Sequence, residues 1–321
     1  MNKVSQMEMK MKPLKKALLF FITFTLIISS AKENTTKGGK PMTLKKLSPA
    51  EAAVLIEKGT ERPFSGKYNT FNQKGFYLCK QCGTPLFRSS KKFTSTCGWP
   101  AFEKAINGSV RNIPDPDGRR TENVCTQCGG HLGHLFIGEH LTPANKRYCV
   151  NSISLDFIPE EKMGRAIFAS GCFWGTEYFL QKADGVLQTT AGYTGGTKTN
   201  PSYKDVCKGT SGHAEAVEVL FDPKKTTFET LAKLFFETHN PEQINRQGPD
   251  IGTQYRSVIF YTNDAQKKTA EKLIAQLKKK GLNVATTLTK STTFWEAEPQ
   301  HQDYYLHKQT TPYCHIYEKK F

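Results

Sequence analysis

Nine cysteines in a chain of 321 residues carry most of the chemistry that this sequence makes legible, and their spacing sorts them. Cys79-Lys-Gln-Cys82 and Cys125-Thr-Gln-Cys128 are two C-x-x-C pairs, each followed by glycine. Two such pairs can close a tetrahedral thiolate cage, and zinc is its usual occupant. The same residues also permit two disulfides or a nucleic-acid-binding zinc ribbon. The latter is disfavoured because the flanking residues are not a basic-aromatic surface. Other thiols have no close partner: Cys97 in STCGWPAF, Cys149 in KRYCVNS, Cys172 in GCFWGTEYF, Cys207 in DVCKG and Cys314 in TPYCH. Cys172 stands where the apolar run Ala166–Ser170 gives way to a helical pattern. A thiol at a helix N-terminus faces backbone N–H dipoles that stabilise its thiolate. A buried cysteine acting as a small hydrophobe fits the spacing too, with Phe173 and Trp174 as plain core aromatics. His131 and His134, three residues apart, can carry protons or bind metal.

The elements that must position these groups fall into two halves of different texture. From Leu44 to about Ile158 the chain is rich in Gly, Pro and short apolar runs, with turn signals at 107–108 and 116–118. Apart from a helical stretch near Ala50–Lys58, it reads as mainly β. After a short hinge at 159–164, strands and helices alternate. Phe228–His239 has apolar residues at helical spacing, Ser257–Thr262 reads as a buried strand, and Asp264–Lys280 as an amphipathic helix capped by Asp264 and ended by Gly281. The pattern predicts an α+β domain whose first helix begins at or just after Cys172. Glu215 reads, on pattern alone, as a surface residue before strand Ala216–Phe221.

The N-terminus has another use. Lys10, Lys12, Lys15 and Lys16 precede an apolar run from Ala17 to Ile28 and then Ser29-Ser30-Ala31. These are the regions of a secretory, Sec-type signal over residues 1–31. Twelve residues are short for a membrane span, although an uncleaved signal would anchor the chain. No cysteine follows the run, which argues against a lipid anchor. Residues 32–43 read as a polar linker. The expected location is therefore periplasmic or otherwise extracytoplasmic. The net charge is +16, and +12 without residues 1–31. The lysines are scattered along solvated faces, so the charge serves solubility before any nucleic acid, and no nucleic-acid partner is expected.

The runs CGWPAF, HLGHLF and RYCVNS, together with the two C-x-x-C pairs, resemble methionine sulfoxide reductase B. The runs GCFWGTEYF, GHAEA, GPDIGTQYR and HQDYY resemble methionine sulfoxide reductase A. Together the resemblances cover about residues 44–321 and imply a B–A fusion. Its mainly-β, zinc-containing domain would occupy 44–160, and an α+β domain with a ferredoxin-like core would occupy 161–321. Each epimer of methionine sulfoxide has its own reductase, so a fusion would serve both.

In the A-like half the resemblance implies Cys172 as nucleophile and Glu215 as proton donor. Tyr203, Asp250 and Tyr255 would bind the sulfoxide oxygen, and Phe173 and Trp174 would wall the methyl pocket. Cys314, in a flexible-looking tail, would resolve the sulfenic acid, with Cys207 as the alternative. In the B-like half it implies Cys149 as nucleophile and Cys97 as resolver. Arg147 would stabilise the thiolate, His131 and His134 would supply the proton, Asn151 would orient a water or a histidine, and Trp99 would hold the methyl group. Cys79, Cys82, Cys125 and Cys128 would hold one structural Zn2+ per chain. One departure is visible: Gly138 occupies a position where the family carries an acid, and Glu139 is placed to compensate. The implied substrates are oxidised proteins or free methionine sulfoxide. The implied electron donor is thioredoxin-like, fed outside the cytoplasm by a transmembrane thiol relay. A general thiol–disulfide oxidoreductase and a zinc-stabilised binding protein without turnover are the competing readings. The first of these expects redox pairs close in sequence, whereas the implied pairs are 52 and 142 residues apart.

Overall fold

The computed structural model describes residues 44–116 and 118–321. The signal and linker expected over residues 1–43 lie outside the described residues. Among the described residues, no helix is long and apolar enough to cross a membrane.

Helix α1 (Pro49–Leu55) opens the chain with a capping box: the Ser48 hydroxyl accepts from the Glu51 N–H, and the Glu51 carboxylate accepts from the Ser48 N–H. Strands β1 (Gly75–Cys79) and β2 (Pro85–Arg88) follow, then β3 (Lys92–Phe93), β4 (Ala101–Phe102), β5 (Val110–Pro114), β6 (Thr121–Cys125), β7 (His131–Ile137), β8 (Lys146–Val150) and β9 (Leu155–Pro159). They form a three-stranded sheet, β2-β1-β9, and a six-stranded sheet, β3-β4-β8-β7-β6-β5. The core between them is aromatic. Phe87 stacks on Phe102 at 4.3 Å, and Tyr77 meets Phe102 edge-on at 4.9 Å. This half is mainly β, as its turn-rich texture predicts.

The second half runs β10 (Gly164–Ser170), α2 (Phe173–Leu180), β11 (Val186–Thr194), α3 (Tyr203–Cys207), β12 (Ala214–Phe221), α4 (Phe228–Glu237), β13 (Arg246–Gln247), β14 (Asp250–Ile251), β15 (Ser257–Tyr261), α5 (Asp264–Lys279), β16 (Thr287–Lys290), β17 (Trp295–Glu296) and α6 (Tyr304–Lys308). Its sheet is ordered β16-β15-β10-β12-β11-β17. Only β15 and β16 pair in parallel. On one face, Ala166, Phe168, Val217 and Val219 meet Phe173, Leu231, Phe235 and Leu273. Alternation along β12 sends Val217 and Val219 to that face and Ala214 and Ala216 to the other. Phe168 stacks on Phe235 at 5.2 Å, so the helical spacing of 228–239 is used as the sequence suggests. The cap of α5 is Asn263 rather than Asp264: the Asn263 side chain accepts from the Gln266 N–H, one residue earlier than expected. Gly281, at φ +90°, ends that helix as predicted.

The two halves touch. Phe76, Leu78 and Ile158 of the first cluster with Leu187 of the second. Asn107 Nδ2 donates to Asp303 Oδ2 at 2.6 Å, and Lys225 Nζ donates to the Gly83 carbonyl at 3.3 Å.

Candidate active sites and metal centre

In the first half, strand register assembles the site. In the β7–β8 ladder His134 lies directly opposite Cys149, and Phe136 opposite Arg147. In the β6–β7 ladder Glu122 lies opposite His134. Directly opposed residues share a face, so Glu122, His134, Cys149 and Arg147 look the same way. Gly133 lets the strands approach this closely: it holds φ +152°, and a Cβ there would run into the Cys149 carbonyl. The Cys97 loop then brings its sulfur to 3.7 Å from Cys149 Sγ.

Arg147 donates from Nε and Nη2 to both Glu139 oxygens, at 2.7 and 2.8 Å. Its Nη1 stays buried with no hydrogen-bond partner among the described residues. Glu139 thus supplies a carboxylate beside the missing acid at Gly138. His131 is 2% exposed and pairs through Nδ1 with Glu122 Oε1 at 2.7 Å, while Nε2 has no partner among the described residues. Burial pushes its pKa down, and the Glu122 carboxylate pulls the other way. His134 reaches Asp115 Oδ2 at 3.2 Å. The two sulfurs share one hydrogen bond. That bond draws the Cys97 thiol down to about 5 and pushes Cys149 up, and the Arg147 cation favours the thiolate on either sulfur. At neutral pH the pair therefore carries one thiolate, a property of the pair rather than of one sulfur.

Trp99 is half-buried, and its Nε1 donates to the Glu61 carbonyl at 3.0 Å. Asn151 Oδ1 accepts from the Glu61 N–H at 3.0 Å, and its Nδ2 donates to the Leu132 carbonyl at 3.1 Å. It sits at the end of β8, where two backbone segments need an amide that both donates and accepts. Glu61 reinforces the same corner by accepting from the Ser152 and Ile153 N–H groups.

In the second half, Cys172 is the N-cap of α2 and is 6% exposed, where the pattern predicts the helix start. The free N–H groups of the first turn are used for chemistry: Trp174 N–H points at the Cys172 sulfur, and Phe173 N–H donates to Glu215 Oε2 at 3.1 Å. Glu215 lies inside strand β12, not on the surface before it. It is 1% exposed, and its Oε1 has no partner among the described residues. Burial raises its pKa to about 8, with the Asp250 charge adding to the rise and the Phe173 N–H opposing it. Tyr203 and Tyr255 face this carboxyl, which helps hold both phenols above their ordinary range after burial itself.

Cys172 Sγ, Cys314 Sγ and an Asp250 oxygen lie within 4.8 Å of one another. Hydrogen bonding between the sulfurs draws Cys314 down to about 6 and pushes Cys172 up, so this pair too holds one thiolate. The tail that carries Cys314 is docked rather than flexible. Glu237 accepts from the Lys320 and Phe321 N–H groups, its carbonyl accepts from Glu318 N–H, and Cys314 is 7% exposed. The turn-rich sequence of 309–318 suggests mobility, but Tyr313 bonds Asp250, His315 meets Thr176, and Glu237 of α4 takes the N–H groups of 318, 320 and 321. Cys207, exposed at the end of α3, lies outside this cluster. Phe173 is buried against Tyr193 and Tyr203, and Trp174 stacks on Tyr304 at 3.8 Å while its Nε1 donates to His301 Nδ1 at 3.2 Å.

The four C-x-x-C sulfurs lie within 4.8 Å of one another, with Cys79–Cys128 and Cys82–Cys125 each at 3.6 Å. The two knuckles are built alike. Gly83 N–H bonds the Cys79 carbonyl and Gly129 N–H the Cys125 carbonyl, each at 2.8 Å with the glycine at positive φ. Tetrahedral ligands about 2.3 Å from zinc would be about 3.8 Å apart. The cage therefore fits a structural metal, and all four thiols are free.

Glu122, Lys58, His301, Tyr313 and His315 were not picked out as site residues by the sequence. Apart from the contact of His315 with its neighbour Cys314, each meets its partner through tertiary packing that no local spacing signals.

Two thiol pairs, one buried and one partly exposed, each one thiolate strong and each beside a side chain able to carry a proton, define a thiol-based oxidoreductase. Residues 47–159 match the SelR domain model, and residues 164–321 match that of peptide methionine sulfoxide reductase. The chain is 45% identical over 152 residues to the peptide methionine sulfoxide reductase MsrA of Nautilia profundicola, covering 47% of this chain and 88% of that protein. It is 43% identical over 186 residues to that of Deinococcus radiodurans, covering 57% and 90%. Among solved structures, reduced Mxr1 from Saccharomyces cerevisiae is similar at 34% identity and a TM-score of 0.47, covering 50% of this chain and 94% of that one. The chain belongs to the peptide methionine sulfoxide reductases: a B-type domain followed by an A-type domain, with enzyme activity of both the S and R types.

Proposed function

We propose that the N-terminal domain reduces the R epimer of methionine sulfoxide and the C-terminal domain the S epimer, each through a sulfenic acid and an intramolecular disulfide. The observation that carries this reading is the pairing of sulfurs: Cys97 with Cys149 at 3.7 Å, and Cys172 with Cys314 inside a 4.8 Å cluster. In the A-type domain, Cys172 reacts as a thiolate with the sulfoxide, and Glu215, protonated at neutral pH, gives its proton to the oxygen. The methionine S–O bond breaks, the hydroxyl ends on the Cys172 sulfur as a sulfenic acid, and the methionine sulfur leaves as a thioether. Tyr203, Asp250 and Tyr255 hold that oxygen, and Phe173 with Trp174 walls the methyl group within a ferredoxin-like α+β core. In the B-type domain, Cys149 attacks. The unpartnered Nε2 of His131 and Nη1 of Arg147 face the developing charge, with His134 beside them and Trp99 against the methyl group. Cys314 and Cys97 then displace the hydroxyl from sulfur and leave a disulfide.

Each turnover consumes two electrons, which a thioredoxin-like donor returns by thiol–disulfide exchange. With residues 1–31 read as an export signal and 32–43 as a linker, the substrates are oxidised exported proteins, and the donor draws its electrons from a transmembrane thiol relay. The test is an assay of each free epimer with dithiothreitol. No epimer-selective reduction sinks the reading.

Glu122 fixes the His131 ring with Lys58 Nζ on its other oxygen at 2.8 Å. Glu122→Gln is expected to lower R-epimer kcat/KM by about tenfold or more, leaving S-epimer reduction unchanged. Equal loss on both epimers means that the carboxylate serves folding instead.

Cys79, Cys82, Cys125 and Cys128 would hold zinc, which supplies no chemistry at either thiol pair and ties β1–β2 to β6–β7. Thiol-blocking of the folded chain is expected to spare four cysteines until a chelator strips the metal. Protection that survives chelation but yields to reductant points to disulfides.

A further inference from the structure

His315 follows Cys314 and takes no part in the reaction described so far. It is 2% exposed, and its Nδ1 lies 3.1 Å from Cys314 Sγ. Its Nε2 reaches Thr176 Oγ1 at 3.4 Å, and that hydroxyl meets Ser170 Oγ at 2.7 Å. The ring rests on the first turn of α2, where a Cβ on Gly175 would collide with it. A side chain large enough to displace it is thus excluded at the helix that carries Cys172. The Cys314 sulfur that it touches lies in the cluster with Cys172 and Asp250, Glu215 lies near Cys172, and His239 is close enough for its own titration to feel His315.

We propose that His315 is the general base of the resolving step: once Cys172 has reacted as the one thiolate of the pair, Cys314 holds the remaining proton, and His315 takes it as that sulfur attacks the Cys172 sulfenic acid. The geometry suits this task. The imidazole touches the resolving sulfur through Nδ1, and its far nitrogen meets the Thr176 hydroxyl. The balance closes without another reagent. The Cys314 S–H bond gives its proton to Nδ1, the S–S bond forms, and the Cys172 S–O bond breaks with its electron pair on oxygen. The oxygen takes up one proton and leaves as water. The sum is thiol plus sulfenic acid to disulfide plus water. This inference rests on the reading of Cys314 as resolver.

The experiment uses the full chain carrying Cys149→Ser, reduced, mixed with one equivalent of methionine-S-sulfoxide and no reductant. Methionine release, dimedone-trapped sulfenic acid on Cys172 and the Cys172–Cys314 disulfide are followed by quenched mass spectrometry. His315→Asn keeps an acceptor near Nδ1 but no base. It is expected to release methionine in the first turnover yet form the disulfide about tenfold or more slowly at pH 7. Its sulfenic acid should accumulate, and its disulfide rate should climb with pH as the thiol ionises unaided. Thr176→Val, which leaves sulfur and imidazole in place, is expected to slow the same step by a smaller factor. Wild-type disulfide rates in both variants overturn the role of His315. Cys314→Ser separates the two readings: trapped sulfenic acid there upholds Cys314 as resolver, whereas a disulfide to Cys207 removes both proposals.

Discussion

Cys172→Ser is expected to abolish reduction of methionine-S-sulfoxide while R-epimer reduction continues at its wild-type rate, and Cys149→Ser is expected to do the reverse. The size follows from the step removed. Only a thiolate can attack the sulfoxide sulfur and then be cleared as a disulfide, and a serine hydroxyl neither ionises near neutral pH nor forms an exchangeable bond to sulfur. Removing a covalent nucleophile leaves only binding and proton donation, a loss on the order of a thousandfold or more. The independence follows from the two sites: each has its own sulfur pair, and within each half its own proton-bearing group, His131 in one and Glu215 in the other. Assays of the separated epimers with dithiothreitol check this. Loss of both activities in either single variant contradicts the two-site assignment.

Glu215→Gln is expected to have the next largest effect, and to move activity and stability in opposite directions. As an acid with a pKa near 8, Glu215 is largely protonated at pH 7 and loses its proton through that value. S-epimer turnover limited by this donor should fall above about pH 8. The glutamine, with no proton to give, should lose about 100-fold or more at every pH. The stability effect has a definite sign. Above its ordinary range of about 4.5 the unfolded carboxyl is ionised while the buried one is still protonated. The folded state then binds the extra proton, and stability falls as pH rises from about 4.5 to about 8. Over that window the wild type loses several kcal/mol, on the order of 1.4 per unit of displacement. The glutamine variant, with nothing to ionise, should show a flatter Tm between pH 5 and 9 and exceed the wild type at the alkaline end. An equal slope in both proteins rules out Glu215 as the buried acid.

How far the sequence carried this depends on the kind of feature. The start of α2 at Cys172 was legible because a β run, a glycine and a helical pattern meet there, all local signals. The metal cage was legible because C-x-x-C-G builds the same knuckle twice. Glu215 was opaque to pattern: a carboxylate in an alternating stretch looks solvated, and only the turn of α2 lying over β12 buries it. The hydrogen-bond partners of Asn151 and of the tail were opaque in the same way. Each is fixed by partners from distant segments, Glu61 with Leu132 in one case and Glu237 in the other, and their short-range sequence says nothing of those partners. Glu122 and His315 share that cause, since strand register and chain-end docking deliver their partners.

The docking of residues 314–321 by Glu237 bears on survival under the conditions that create the substrate. A sulfenic acid that meets a further equivalent of oxidant becomes sulfinic acid, which thiol donors do not reverse. A resolving sulfur on a roaming tail would leave that intermediate exposed while the tail searched. Here the second sulfur is already in place before the first is oxidised. Peroxide must therefore compete with a neighbour whose local concentration it cannot match. Loosening the clamp at Glu237 should leave the first turnover intact and make the enzyme easier to kill by the oxidant whose damage it repairs.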